Sequence, residues 1–263
     1  MTSPTTDPHR TIDPLRIERE TYVESAEVHE ELPSTNDHAL KLAPASTPPR
    51  LIAALRQTLG RGRGSNRWWA ADGALTFSLI IETTGVPIER LPQVSLTAGS
   101  AIAGAVQSFV PHDQVRLKWP NDVYLAGRKA AGILVEVPPA VQERLVIGVG
   151  LNVNNSLAAA PEDIRTRAAS LCEQAGRPLD LTDVLIAIIH NLEAELTLLA
   201  ESSRALPERW RSLCLLAGRS VTLNDGTRTI TGTCRGIEDD GALLLETIAG
   251  PRRYYGGVVE EFG

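Results

Sequence analysis

The sequence predicts an α+β chain: a sheet of short apolar strands with helices, followed from residue 217 by a small all-β unit. Three observations lead there. Apolar runs of strand length, bounded by Gly, Pro, Asn and Asp, recur as far as Val153. Leu181 to Ala200 carries its apolar side chains at helical spacing. Beyond Leu216, short strand-like segments follow one another with turn residues between them.

The elements follow in chain order. Met1 to Pro14 is rich in Pro, Thr and Asp and is expected to be disordered. Ile17 to Leu32 reads as a short strand or helix leading into the domain. Ser34 is placed to cap a helix over Asp37 to Ala43, with Ala39, Leu40, Leu42 and Ala43 toward the core. The apolar run Leu51 to Leu55 precedes a glycine-rich loop, and Ala74 to Glu82 reads as a buried strand. Leu91 to Val110 is small-residue-rich and helical, with Leu96, Ala103 and Val106 near one face. Strands are expected at Val115 to Trp119, Lys129 to Val137 and Leu145 to Val153. In the long helix, Val184, Leu185, Ile188, Leu192, Leu196 and Leu199 form a stripe that belongs in the core. Arg219 to Leu223, Thr229 to Gly236 and Ala242 to Glu246 complete the strands, the last two joined through Asp239-Asp240-Gly241. The chain thus divides into an extension (1–33), a main domain (34–216) and a C-terminal unit (217–263).

Composition narrows the function classes. The 263 residues can bury a substantial core, mostly aliphatic, because 43% are hydrophobic and only 4% aromatic. A formal charge of −6 argues against a generally basic nucleic-acid surface. Cys172, Cys214 and Cys234 are far apart and odd in number, which suits reduced thiols in the cytoplasm. Neither a secretory signal nor a membrane-spanning run is present. His9, His29, His38, His112 and His190 are isolated, with no paired spacing for a metal site.

Two clusters carry chemistry. Lys118-Trp119-Pro120-Asn121-Asp122 and Gly127-Arg128-Lys129 lie between strand-like runs, so their charges gather where two strands end. Pro120 has no ladder N–H, Asn121-Asp122 is turn chemistry, and Ala126-Gly127 makes the next reversal. Two lysines, an amide and a carboxylate at adjacent strand ends suit a phosphate and its metal ion; an ordinary hairpin with a solvated tip has the same spacing. The second cluster, Gln57-Thr58-Leu59-Gly60-Arg61-Gly62-Arg63-Gly64-Ser65, ends near Trp68 and Trp69. Its glycines let backbone amides approach a ligand, and its arginines supply fork-shaped donors for phosphate or carboxylate. It is neither a Walker loop nor a Rossmann fingerprint, and alone it reads more often as a flexible surface loop or a nucleic-acid contact.

Taken in order, Ser34-Thr35-Asn36, the Gln57-to-Arg63 loop with Trp68, Lys118-to-Asp122, Gly127-Arg128-Lys129 through Gly132 to Glu136, and Gly148-Val149-Gly150-Leu151-Asn152-Val153-Asn154 resemble a biotin–protein ligase. The resemblance spans about residues 34 to 260 and implies a class II synthetase-like catalytic domain, with a mixed β-sheet and helices, plus an SH3-like β-barrel. It implies ATP and biotin as substrates, Mg²⁺, a biotin carboxyl carrier protein as acceptor, and allows a homodimer. The reaction would form biotinyl-5′-adenylate and pass biotin to a carrier lysine, with no covalent enzyme intermediate. With 33 residues before Ser34, the chain looks like the catalytic-only type, lacking the winged helix that makes some members repressors.

By the same resemblance, Ser34, Thr35, Asn36, Gln57, Arg61, Gly62, Arg63 and Gly132 contact biotin, and Lys129 pairs with its carboxylate and polarises the acyl phosphate. Arg63, Trp68, Lys118, Asn121 and Asn152 face the nucleotide, Asn121 and Asp122 are candidates for Mg²⁺ held mainly through ATP oxygens and water, and Asp122 is the nearest general base. Trp69 reads as a core aromatic. The loop departs from the family at Ser65 and Asn66, which bears on its ordering, while Arg67 restores a charge one residue later. Two other readings share parts of the pattern: a lipoate–protein ligase, disfavoured by Gly-Arg-Gly-Arg and Trp-Pro, and a non-catalytic biotin or nucleotide sensor.

Overall fold

The computed structural model describes residues 7–83 and 90–263. The disorder expected for Met1 to Thr6 therefore lies outside the described residues, but from Asp7 onward the expectation fails. Asp13 caps helix α1 (Pro14–Glu20) by accepting from Arg16 N, and Ile12 and Ile17 are buried. The segment is tied down at a distance: Leu181 N donates to Pro8 O, and Asn154 Nδ2 to His9 O. A Pro-rich stretch that finds backbone partners and buries Ile17, worth roughly 1.5–3 kcal/mol, is ordered by tertiary contacts its composition does not show.

Strand β1 (Ser25–Leu32) follows, then α2 (Thr35–Leu42) and β2 (Arg50–Gln57). This β-α-β unit makes the sheet mixed, since β1 and β2 are parallel and every later pair is antiparallel. The sequence treated residues before Ser34 as an extension, yet β1 is a strand of the main sheet. Next come β3 (Ala74–Glu82), α3 (Leu91–Val106), β4 (Val115–Lys118), β5 (Asp122–Leu125), β6 (Arg128–Glu136) and β7 (Arg144–Asn152). They complete a seven-stranded sheet in the order β1-β2-β3-β7-β6-β5-β4.

Two helices cover one face. Short helices α4 (Glu162–Arg167) and α5 (Leu171–Ala175) lead to α6 (Leu181–Ala200), the helix the apolar stripe predicted to the residue. Leu96, Ile102 and Val106 of α3 and Val184, Leu185 and Ile188 of α6 share a core with Leu51, Phe77, Leu79, Ile133 and Ile147 from the sheet. The opposite face holds only a small apolar patch, where Ala39 and Ala43 meet Ile52, Ile80 and Val146. The rest of that face is left for polar side chains and glycines.

After α7 (Ala205–Leu213), the chain forms β8 (Ser220–Asn224), β9 (Thr229–Ile237), β10 (Leu243–Thr247), β11 (Gly250–Tyr254) and β12 (Val258–Phe262). They make a five-stranded antiparallel sheet, with the expected turn closed by Gly241 at φ +84°. This unit is fastened to the main domain by Trp119, which is buried and donates from Nε1 to Gly241 O at 3.0 Å. Leu215 N donates to Leu117 O beside it. No helix among the described residues is long and apolar enough to cross a membrane.

Candidate active site

Strand alternation builds the site. Lys118 faces Asp122 across the β4–β5 pair, Asp122 faces Gly132, Gly132 faces Gly150, and Gly148 faces Ser78. Side chains of a sheet alternate between faces, so these residues share the face away from α3 and α6. Three of them are glycines on adjacent strands, which makes the middle of that face a trough with no side-chain floor. Trp68 lies in it: a Cβ at Gly150 would collide with the indole, and one at Gly148 with the Asn36 amide. A cavity of about 440 Å³ opens there, reaching from α2 to the C-terminal unit.

At one end, the polar groups satisfy one another. Ser34 caps α2 by accepting from Asp37 N at 3.3 Å, as expected. Gln57 Oε1 accepts from Thr35 N at 2.7 Å. Ser78 Oγ lies 2.8 Å from Thr35 Oγ1 and 2.6 Å from Asn36 Oδ1, while Asn36 Nδ2 donates to Glu136 Oε2 at 2.9 Å. Arg61, expected to grip ligand, is instead held by two carboxylates: Nη2 is 2.6 Å from Glu136 Oε1 and Nη1 bonds Asp37 Oδ1. Its guanidinium pKa is raised, first by the hydrogen bond to Glu136. Arg61 thus ties the loop to α2 and to the end of β6 while still lining the cavity.

The other end is a cluster of cations. Lys129 Nζ lies 2.6 Å from Asp122 Oδ1 and 6.0 Å from the centre of the Trp68 ring. Its backbone is held by α4's exit, because Ala169 N donates to Lys129 O at 2.9 Å. Lys118 donates to Val259 O at 3.2 Å and Arg63 to Gly257 O, both carbonyls of the C-terminal unit. Burial lowers the pKa of both Arg63 and Lys118; Asp122 opposes the shift, and for Lys118 the nearby Lys129, Arg63 and Arg167 add to it. Tyr124 is pushed up to about 12, mainly by burial.

One of the two residues that departed from the family pattern, Asn66, helps close the loop. Asn66 Nδ2 donates to Arg63 O at 3.0 Å, and Gly62 N donates to Asn66 O at 2.8 Å. Gly64 sits at φ +66° at the tip, and Trp68 N closes the base onto Gly60 O. Asn66 thus acts as a turn residue, bonding its own backbone neighbourhood. Trp69, expected in the core, lines the cavity beside Trp68 and is only half-buried.

Asn121 and Asp122, the candidates for Mg²⁺, each have a partner within the protein. Asn121 Nδ2 donates to Ile133 O at 2.6 Å, and Asp122 is paired with Lys129 amid further positive charge. Asn152 is buried at the sheet end and accepts from Asn155 Nδ2 at 3.0 Å.

Comparisons with known proteins agree with this geometry. The Biotin/lipoate A/B protein ligase family matches residues 28–153, and the Biotin protein ligase C terminal domain matches residues 217–260. A biotin–[acetyl-CoA-carboxylase] ligase of Mycobacterium tuberculosis is 34% identical over 200 residues, spanning 74% of this chain and 73% of that protein. The chain belongs to the biotin protein ligase family. The bifunctional ligase/repressor BirA of Bacillus subtilis is 31% identical over 88% of this chain and 72% of its own length. The biotin protein ligase of Aquifex aeolicus, solved in complex with biotin and ATP, superposes with a TM-score of 0.79 at 30% identity, covering 90% of this chain and 97% of that one.

In this biotin-ligase site, sequence reasoning passed over Ser78, Arg167 and the β12 backbone, and it quoted Glu136, Gly148 and Gly150 as motif residues without giving them a role. Ser78 had a signal, being polar in the middle of a run read as a buried strand. Glu136 closes a strand as an ordinary solvent-facing end would, and nothing local marks the carbonyls of Gly257 and Val259.

Proposed function

We propose that the cavity binds biotin at its neutral end and ATP at its cationic end, and that it joins biotin to a lysine of a biotin carboxyl carrier protein. Supporting the reading most directly is Lys129, which sits with Asp122 in the cationic end, against Gly132 of the glycine trough. Uncharged donors and acceptors on Ser34, Thr35, Asn36 and Ser78 suit the ureido ring, and the glycine trough suits the flat bicycle above it. Biotin and ATP are the ligands of the Aquifex aeolicus relative.

In the first step, the biotin carboxylate attacks the α-phosphorus; a carbonyl oxygen–phosphorus bond forms and pyrophosphate leaves. Lys129 draws the carboxylate toward the phosphate, while Arg63 and Lys118 neutralise charge on the phosphoryl oxygens. Burial strengthens these contacts, because the local dielectric is low. In the second step, the carrier lysine attacks the acyl carbon, AMP leaves, and Asp122 takes the amine's proton. Positioning and fixed charge supply the rate, with no enzyme nucleophile. Mg²⁺, on this reading, arrives on the phosphates of ATP rather than on a protein cage.

The test is direct. Protein, biotin, ATP, Mg²⁺ and an apo carrier domain are incubated, and the carrier's intact mass is recorded. A biotin-sized increase that needs ATP establishes the ligase; pyrophosphate without mass gain means another carrier; biotin binding with neither product means a sensor. Lipoate in competition separates the lipoate reading. Cytoplasmic location and a homodimer belong to the same reading: the three cysteines are unpaired, and β1 leaves one sheet edge open. Sedimentation velocity checks the dimer.

A further inference from the structure

The histidines that looked isolated in the sequence are not isolated in space. Glu27 and His29 lie two residues apart on β1 and so point to one face of the sheet. Helix α2 crosses that face and brings His38 to them. Glu27 Oε1 is 3.4 Å from His38 Nε2 and 3.7 Å from His29 Nε2. One ligand atom from each residue lies within 4.8 Å of the other two. Ligands at zinc-bond length in a tetrahedron stand about 3.4 Å apart, so the three atoms need little movement to share an ion.

The hydrogen bonding points the same way. Glu27 Oε1 and His29 Nε2 are both shut off from solvent with no hydrogen-bond partner. Buried polar atoms left unpaired are costly and rare, and two facing each other call for a group between them. The other carboxylate oxygen, Oε2, accepts from Arg50 Nη2 at 3.1 Å, which aims Oε1 at the imidazoles as an outer-shell partner would. Each side chain remains about a third exposed, which leaves an open side for a water ligand. Two imidazoles and one carboxylate suit Zn²⁺ rather than Mg²⁺ or Ca²⁺.

We propose that Glu27, His29 and His38 form a Zn²⁺ site that clips the edge strand β1 to helix α2. This assignment stands apart from the ligase reading, but it has a consequence for the cavity. His38 lies two residues beyond Asn36, so the clip holds the helix end that presents Ser34, Thr35 and Asn36.

The experiment is a calorimetric titration of the EDTA-stripped full chain with ZnCl₂ near neutral pH, in a Cys172→Ser background that removes the half-buried thiol. One Zn²⁺ per chain is expected, with at least about tenfold weaker binding in His29→Ala/His38→Ala. Co²⁺ in place of Zn²⁺ should show the visible bands of a four-coordinate site, lost in the same variant. Glu27→Gln keeps the side-chain shape and reads the same loss should the double variant misfold. Equal binding by wild type and variants, or no binding by wild type, overturns the site.

Discussion

The two ends of the cavity solve opposite problems. At the α2 end, Thr35, Asn36, Gln57, Ser78, Arg61 and Glu136 already satisfy one another, and every charge faces an opposite charge within the protein. At the C-terminal-unit end, Lys118, Lys129 and Arg63 share Asp122 as counter-ion and borrow neutral carbonyls from Gly257 and Val259. A satisfied network is rigid and holds a neutral ring in one orientation; an excess of half-buried cations is strained until an anion arrives. On the proposed function, the difference separates specificity from rate enhancement. Mutations at the first end should alter affinity for biotin, and mutations at the second should alter chemistry.

The sharpest break would come from Lys129→Ala. Loss of this charge at the reacting centre should slow pyrophosphate release by about 10²–10³-fold or more, with circular dichroism unchanged. Near-normal release would remove Lys129 from the chemistry and erase the contrast between the ends.

Glu195 tests the comparison away from the cavity. It is 1% exposed, lies 3.2 Å from Arg209 Nε, and burial pushes its pKa up to about 7. A carboxyl raised in the folded state binds its proton more tightly there than when unfolded. Its stabilisation is therefore complete below about pH 4.5 and is lost as pH rises through about 7. The loss should be on the order of 3 kcal/mol in denaturant midpoints, and Glu195→Gln should flatten it. Here no ligand compensates the buried charge, so adding biotin and ATP should leave that pH profile in place.

Arg63→Gly should release the adenylate about 10- to 150-fold faster in a single-turnover chase, because a charged hydrogen bond is worth about 1.5–3 kcal/mol. Bystander lysines would then be labelled. Unchanged dissociation would mean the contact to Gly257 O is the residue's whole role. The smallest effect is expected from Ser78→Ala, which leaves Asn36 Oδ1 without its donor and should weaken biotin binding by about 1–2 kcal/mol with kcat little altered. A kcat loss without an affinity change would invert the comparison.

Local information reads well where the physics is local. The α6 stripe, the Ser34 cap, the Gly241 turn and strands β3, β6 and β7 follow from periodicity and turn chemistry within a few residues. Lys129 and Asp122 were legible because a tight hairpin brings them together. β1 was missed as a sheet member because its alternation is polar and half-exposed, with a parallel partner on the far side of a helix. Short helices such as α4 and α5 carry too few turns for a stripe to register.

By itself, then, the sequence determined the helical stripe of α6, the main strands and turns, and that Lys118, Asp122 and Lys129 gather at adjacent strand ends. Only the tertiary structure decided that Arg61 pairs with Glu136 and Asp37, that Ser78 joins the Thr35–Asn36 network, that carbonyls of Gly257 and Val259 meet Arg63 and Lys118, and that His29 and His38 converge on Glu27. The reason is geometric: periodicity reports the face on which a side chain stands, whereas strand order and helix crossing decide which distant side chain stands beside it.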